Sequence, residues 1–410
     1  MANFSTITIE EATERLIDYR GKTPPKTDSG VRLITAKVVK GGQIHDEPAE
    51  YIADDFYDEW MRRGLPQRLD VLLTTEAPLG EVAIIRDSER IALAQRIILL
   101  RAKPGLLDSL FLFYALQSDF GQGELKARAS GTTVLGIKQS ELRKVRIPVF
   151  SLPIQRRIAG ILSAYDELIE NSQRRIKILE SMARGLYREW FVHFRFPGHE
   201  SVPRVPSTMG EIPKGWEVKT VPDCVYINPR VSVPRDGEKA FVPMGCLSND
   251  SMHILNIESR TGNSGAKFQN GDTLFARITP CLENGKTGFV QFLSDPQSVA
   301  FGSTEFIVLR SRTLTPEFVY LLARSDEFRG VAIKSMSGAT GRQRVQEKCL
   351  EDLRIAEPPR ALLDEFATIV SPSFKAAYML HLQIQNLRRM RDLLLPRLLS
   401  GQIDVGNYQQ

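Results

Sequence analysis

Four clusters of Arg, Lys, Thr, Gln and Asn in this chain could hold a polyanion and read base edges. The first is Arg20-Gly21-Lys22-Thr23 with Lys26. The second runs from Lys126 and Arg128 through Ser130-Gly131-Thr132-Thr133 to Lys138. The third comprises Arg277, Thr279, Asn284 and Lys286. The fourth holds Lys334, Thr340, Arg342, Gln343 and Arg344 in an acid-free run that ends at Val345. Lys and Arg neutralise phosphates and Arg also pairs with guanine, while Asn and Gln pair with adenine. A single loop of this kind reads as a solvated turn. Its recurrence at matched places in two halves of the chain favours a nucleic-acid contact.

Catalytic constellations are missing from the sequence. Gly21-Lys22-Thr23 and Gly285-Lys286-Thr287 resemble the tail of a phosphate-binding loop, but Leu16 and Pro280 stand where the required earlier glycine should be. Neither an Asn/Asp-Pro-Pro-Tyr/Phe motif nor a GxGxxG after a strand is present. The five histidines show no metal spacing, and the four cysteines lie far apart with no CxxC pair. The expectation is a non-catalytic chain with no metal or cofactor of its own and reduced thiols.

The elements that must position these loops come in two copies. Ile169, Ser172, Ile176, Leu179, Ala183, Leu186 and Trp190 step by three and four, as a coiled-coil seam does. Adding 208 gives Ala377, Leu380, Ile384, Leu387, Arg391, Leu394 and Leu398, again mostly apolar. Asp70-Val71-Leu72-Leu73 matches Asp272-Thr273-Leu274-Phe275, Ser118-Asp119 matches Ser325-Asp326, and Ser130-Gly131 matches Ser337-Gly338. The offset drifts only from 202 to 208. The chain therefore reads as two copies of a globular unit followed by a long helix.

The predicted organisation is a first domain over 1–150, a helical spacer over 151–198, a linker over 199–210, a second domain over 211–358 and a second helical spacer over 359–410. Short β runs near 32–35, 71–74, 82–85 and 96–100 alternate with turns, and 108–116 reads as helical. The fold class expected is α+β, with two similar mixed domains separated by two long antiparallel coiled-coil helices and an approximate two-fold repeat. The first helix should break near Ser163, and Pro396 should kink or fray the last turn of the second. Ile169 to Trp190 spans roughly 33 Å at ~1.5 Å per residue, close to one turn of duplex DNA. Trp190, Phe191, Phe194 and Phe196 form an aromatic group large enough to suggest either a partner surface or packing on the first domain.

At 410 residues, 42% hydrophobic and 25% charged, the composition is that of an ordinary globular protein. The net charge of +5 favours a polyanionic partner. No apolar run reaches membrane-spanning length and no secretory signal is visible, so a cytoplasmic location is expected.

Three stretches carry a family resemblance over essentially the whole chain. They are Gly210 to Val218, Gly271 to Lys286 and Ser337 to Arg344, together with Arg20 to Pro25 and both helices. The chain resembles a specificity subunit of a type I restriction-modification system. The resemblance implies that each domain is a target recognition domain reading one half of a bipartite, asymmetric DNA site. The helices would set the gap between the halves. It also implies two copies of an adenine methyltransferase subunit as partners, plus restriction subunits, with S-adenosylmethionine, ATP and Mg belonging to those partners. The rival readings are a stand-alone DNA-binding regulator or architectural protein and a coiled-coil scaffold.

Overall fold

A computed structural model describes residues 5–406 except Arg20, Lys22, Ser88, Pro296 and Thr340. By contacts the chain divides into two units, Met1–Ile169 with Asn386–Gln410, and Glu170–Gln385. Each is a mixed α+β domain that also takes in part of both long helices.

In the first unit a four-stranded antiparallel sheet runs in the order Thr13–Asp18, Ile97–Ala102, Val71–Thr75, Leu79–Ile84. The second repeats that order with Val225–Ile227, Phe306–Ser311, Thr273–Ala276 and Thr287–Phe289. Central strands such as Val71–Thr75 and Thr273–Ala276 are buried at every residue, so they show no in-out alternation of apolar and exposed polar positions. A smaller sheet with one parallel pair accompanies each: Val31–Ile34 beside Ile91–Leu93, and Lys239–Val242 beside Ala300–Gly302. In each domain an early strand pairs with the last, Thr6–Thr8 with Arg146–Pro148 and Glu217–Thr220 with Arg354–Glu357.

Two short helices in tandem cover each sheet, Ser109–Gln117 with Asp119–Ala127 and Pro316–Arg324 with Asp326–Lys334. One serine separates each pair and caps the second helix. Ser118 Oγ accepts from Gly121 N at 3.1 Å, and Ser325 Oγ from Phe328 N at 3.2 Å. Beneath them lies a repeated ion pair. Arg101 donates to Asp70 at 2.7 and 2.8 Å, and Arg310 donates to Asp272 at 2.7 Å through both nitrogens. Each aspartate also accepts from the backbone three residues before it (Gln67 N, Gln269 N), so the buried charge is fully engaged.

The long helices span Leu152–Tyr187 and Arg360–Leu399. The first is unbroken through Ser163, against expectation: Ser163 Oγ bonds back to Gly160 O, a contact a continuous helix accommodates. It passes into a π-helical turn, Arg188–Val192. The second continues past Pro396 to Leu399, because Leu398 and Leu399 are buried in the first unit's core with Ile158, Ala159 and Leu162. Burial there outweighs the hydrogen bond that proline removes. Within the first unit the helices run antiparallel. Arg391 donates to Asp166 at 2.6 Å, whereas Arg157, earlier on the first helix, donates to Val405 O at 2.8 Å, beyond the end of the second.

The seam residues Ile169, Ile176, Leu380 and Ile384 are buried, and Leu179, Leu186, Leu387 and Leu394 are half-buried. Residues 199–210, expected to form a linker, are ordered as a 3-10 turn at His199–Ser201 and a hairpin joining Arg204–Ser207 to Gly210–Pro213. The aromatic group also differs from expectation. Trp190, Phe191 and Phe196 are buried inside the second unit, where Phe191 packs on Phe318 at 4.7 Å and Phe366 at 4.8 Å between ring centroids. They form the joint between helix and second domain rather than a free surface.

Candidate nucleic-acid interface

In each unit a hairpin loop folds back on the end of a central strand. Ser130 and Gly136 exchange backbone hydrogen bonds at 2.8 and 2.9 Å, and Ser337 and Arg344 do so at 3.1 and 2.9 Å. Ile137 N then bonds Thr75 O in one domain, and Val345 N bonds Arg277 O in the other. The same two residues also donate: Thr75 N bonds Arg96 O, and Arg277 N bonds Glu305 O. These contacts align the two domains residue by residue: Thr75 with Arg277, Arg96 with Glu305, Gly136 with Arg344. Gly131 (φ +115°) makes the first hairpin's turn, where an added Cβ would lie 2.2 Å from Val134 O, so only glycine fits.

The scaffold is thus shared while the side chains it presents differ. At the first hairpin Thr132, Thr133 and Lys138 are exposed, with Val134 and Leu135 beside them at the tip. Exposed apolar side chains of this kind suit a thymine methyl. At the second, Arg342 and Arg344 are exposed and Gln343 half-buried. Arg344 binds Glu305 through Nε at 2.9 and 3.1 Å, which holds the Glu305 carboxyl below the usual range. Arg96 pairs with Glu76 at 2.8 Å.

The sequence-predicted residues fall into two groups. Thr23, Lys126, Asn284 and Lys334 are exposed like the hairpin residues, and Lys26 is exposed but paired with Glu50 at 2.7 Å. The remainder bind partners inside the domain. Arg277 donates to Glu347 at 2.7 Å, Lys286 to Met244 O at 3.2 Å, and Arg128 sits between Glu124 and Glu141. Thr279 Oγ1 accepts from Gln343 N at 3.0 Å, tying the third loop to the fourth. Arg20, Lys22 and Thr340 lie outside the described residues. Sequence reasoning missed Arg96, Val134 and Leu135. Matching Arg96 to Glu305 needs the strand register, and Val134 and Leu135 look like core residues until the hairpin exposes them.

Among the described residues no three His, Cys, Asp or Glu side chains gather in a metal-binding group. No described helix is long and apolar enough to cross a membrane.

Comparisons with known proteins agree with this architecture. A family model described as the type I restriction modification DNA specificity domain matches residues 64–181. The MjaIX type I restriction enzyme specificity subunit of Methanocaldococcus jannaschii is 27% identical over 348 residues, covering 82% of this chain and 78% of that protein. The MjaVIII specificity subunit from the same organism is 22% identical, covering 90% and 91%. A crystal structure of the type I restriction-modification S subunit from M. genitalium shares the fold with TM-score 0.58 at 16% identity, covering 97% and 96% of the two chains. Over most of its length the chain is thus similar to type I restriction-modification specificity subunits, and it carries a match to their DNA specificity domain.

Proposed function

We propose that this chain chooses the DNA sequence at which a type I restriction-modification assembly acts, each domain reading one half of a bipartite, asymmetric site. One observation carries the reading: the hairpins are built on the same backbone hydrogen bonds but present different side chains. Thr132, Thr133, Val134 and Leu135 occupy one, and Arg342, Gln343 and Arg344 the other. A shared frame places both readers alike in a major groove, and unlike tips make the half-sites unrelated. Lys126, Lys138 and Lys334 supply phosphate contacts and salt-dependent affinity.

The chain carries no chemistry of its own in this reading. Methylation and cleavage, with S-adenosylmethionine, ATP and Mg, belong to partner subunits in the cytoplasm. The helices set the gap between half-sites and dock two adenine methyltransferase subunits. Both helices leave apolar residues uncovered in each unit: Ile161, Leu168, Met390 and Leu393 in the first, Ile178, Met182, Ile369 and Met379 in the second. Surfaces of this kind fit a partner that must be held, and they count against a stand-alone regulator.

Long-read mapping of genomic adenine methylation, with this gene intact and deleted, tests the reading. Disappearance of one gapped, non-palindromic motif on deletion supports it. An unchanged methylome in a host whose methyltransferase is expressed overturns it.

A further inference from the structure

The loop that leaves the first strand of the second domain's main sheet borders an open cleft of about 730 Å³. Asn228, Arg230 and Ser232 form one wall, Lys267 another, and Arg277 and Thr304 stand at the strand ends. Three of these side chains are cationic, and no carboxylate lines the space. Among the described residues neither Arg230 nor Lys267 forms an ion pair.

The back of the cleft is rigidly set. Asn228 has φ +50°, and its side chain accepts from Val308 N and donates to Glu347, each at 2.9 Å. Glu347 also accepts from Arg277 Nη1, yet Arg277 Nε is buried with no acceptor. A buried donor without a partner is uncommon and points to a missing acceptor. Through its backbone Arg277 is also part of the hairpin base, so the cleft adjoins the second hairpin. Its loop occupies the same topological place as the loop that leaves Thr13–Asp18 in the first domain, since both leave the edge strand that pairs with the fourth main-sheet strand in sequence.

We propose that this cleft seats a phosphodiester of the DNA backbone, fixing the register of the second hairpin on its half-site. Arg230 and Lys267 supply the charge, and Arg277 and Asn228 shape the floor. The proposal rests on the reading of the chain as a DNA specificity subunit. A phosphate seat binds every sequence alike, so its loss weakens binding without changing what is read.

The test uses the full chain in complex with its methyltransferase subunits. Binding of two fluorescein-labelled duplexes, one carrying the methylated motif and one scrambled, is followed by anisotropy across a salt series. In Arg230→Gln and Lys267→Gln, affinity for both duplexes should fall by the same factor. The slope of log affinity against log salt should shrink by about one in each and by about two in the double variant, with the methylated motif unchanged. Wild-type slopes in the double variant would overturn the proposal, as would loss confined to the motif duplex, which would make these residues base readers. Calorimetry with inorganic phosphate and with dAMP separates the sources. Millimolar binding that the double variant loses, with the DNA slope intact, would assign the cleft to a free anion and also overturn the proposal. A wild-type complex that binds neither duplex would overturn both the proposal and the reading on which it rests.

Discussion

Arg96 and Glu305 occupy the same place in the two domains and carry opposite charges. Each accepts, through its carbonyl, the backbone N–H of the last residue before the hairpin bridge, from Thr75 at 2.9 Å and Arg277 at 3.0 Å. Arg96 presents a guanidinium beside Glu76, whereas Glu305 presents a carboxylate beside Arg344. An arginine donates to guanine and a glutamate accepts from cytosine, so one frame can favour different base pairs by this exchange alone. Replacing Arg96 with Ala should relax one half of the methylated motif, and replacing Arg344 with Ala the other. Each loss should amount to about 1–3 kcal/mol of discrimination if the contact is bidentate. Methylome mapping of the variants reads this directly, and a change in both halves from a single substitution would contradict it.

The repeated pair of aspartate and arginine under each sheet predicts where the domains are fragile. Asp70 and Asp272 are buried, and each binds two guanidinium nitrogens and one backbone N–H. Asp272→Ala leaves Arg310 without its partner and should cost roughly 3 kcal/mol, in the range for breaking a buried pair. The double substitution Asp272→Leu with Arg310→Met should recover most of that loss. Urea midpoints of the three proteins decide it, and equal midpoints for wild type and Asp272→Ala would refute the assignment.

Stability should fall in mild acid because of His253. Its ring stacks on His381 with centroids 4.6 Å apart, and burial with the neighbouring imidazole pushes its pKa down to about 3. The folded protein therefore cannot take the proton that the unfolded chain accepts near pH 6.5. The stabilising difference is complete above that pH and is lost as pH falls, by about 1.4 kcal/mol per unit. Glu180 acts in the opposite sense. Burial raises its pKa while Ser251 and Met252 donate to it, so its share of stability is present at low pH and lost as pH rises through the raised value. From pH 7.5 to 5.0 the unfolding free energy should drop by about 2 kcal/mol through His253. His253→Phe should flatten that slope, and an unaltered slope would clear the histidine of the effect.

Partner capture should depend on the uncovered helix residues. Met182 and Met390 stand 208 residues apart, the helical repeat interval, and both are exposed. Met182→Glu and Met390→Glu leave each domain's core intact, so both proteins should fold. Each single variant should retain one methyltransferase subunit and the double variant none, as sizing with light scattering would show. Full retention by the double variant would place the docking face elsewhere.

A ruler role for the helices gives a metric outcome. Inserting one heptad into both helices adds ~10.5 Å, or about three base pairs, to their length. The gap in the motif should widen while both half-sites stay the same. Altered half-sites with an unchanged gap would end the idea.

Much of this was legible because the repeat is written in local patterns. Asp70 and Asp272 open matching apolar runs, and Ser118 and Ser325 break matching helices, both visible without a structure. The heptad positions likewise announce their burial. What stayed hidden depends on register and on competition between local and tertiary terms. Pro396 reads as a helix breaker, yet Leu398 and Leu399 beyond it are drawn into a core. Arg128, Arg277 and Lys286 look like free cations until Glu124, Glu347 and Met244 are seen beside them. Trp190 and Phe191 look like a surface patch because Phe318 and Phe366 lie more than 120 residues away in sequence.

The first unit is discontinuous in sequence: its core takes Leu398, Leu399 and Val405 from the far end of the chain, and Arg157 holds the carbonyls of Val405 and Gly406. The second, Glu170–Gln385, is continuous. During synthesis the unit encoded later can therefore be completed earlier, while the apolar faces of Ile158 and Leu162 wait for the last helical turns to leave the ribosome. A nascent chain stalled before residue 386 would carry one finished domain and one with an uncovered core, open to chaperones and proteases until translation resumes.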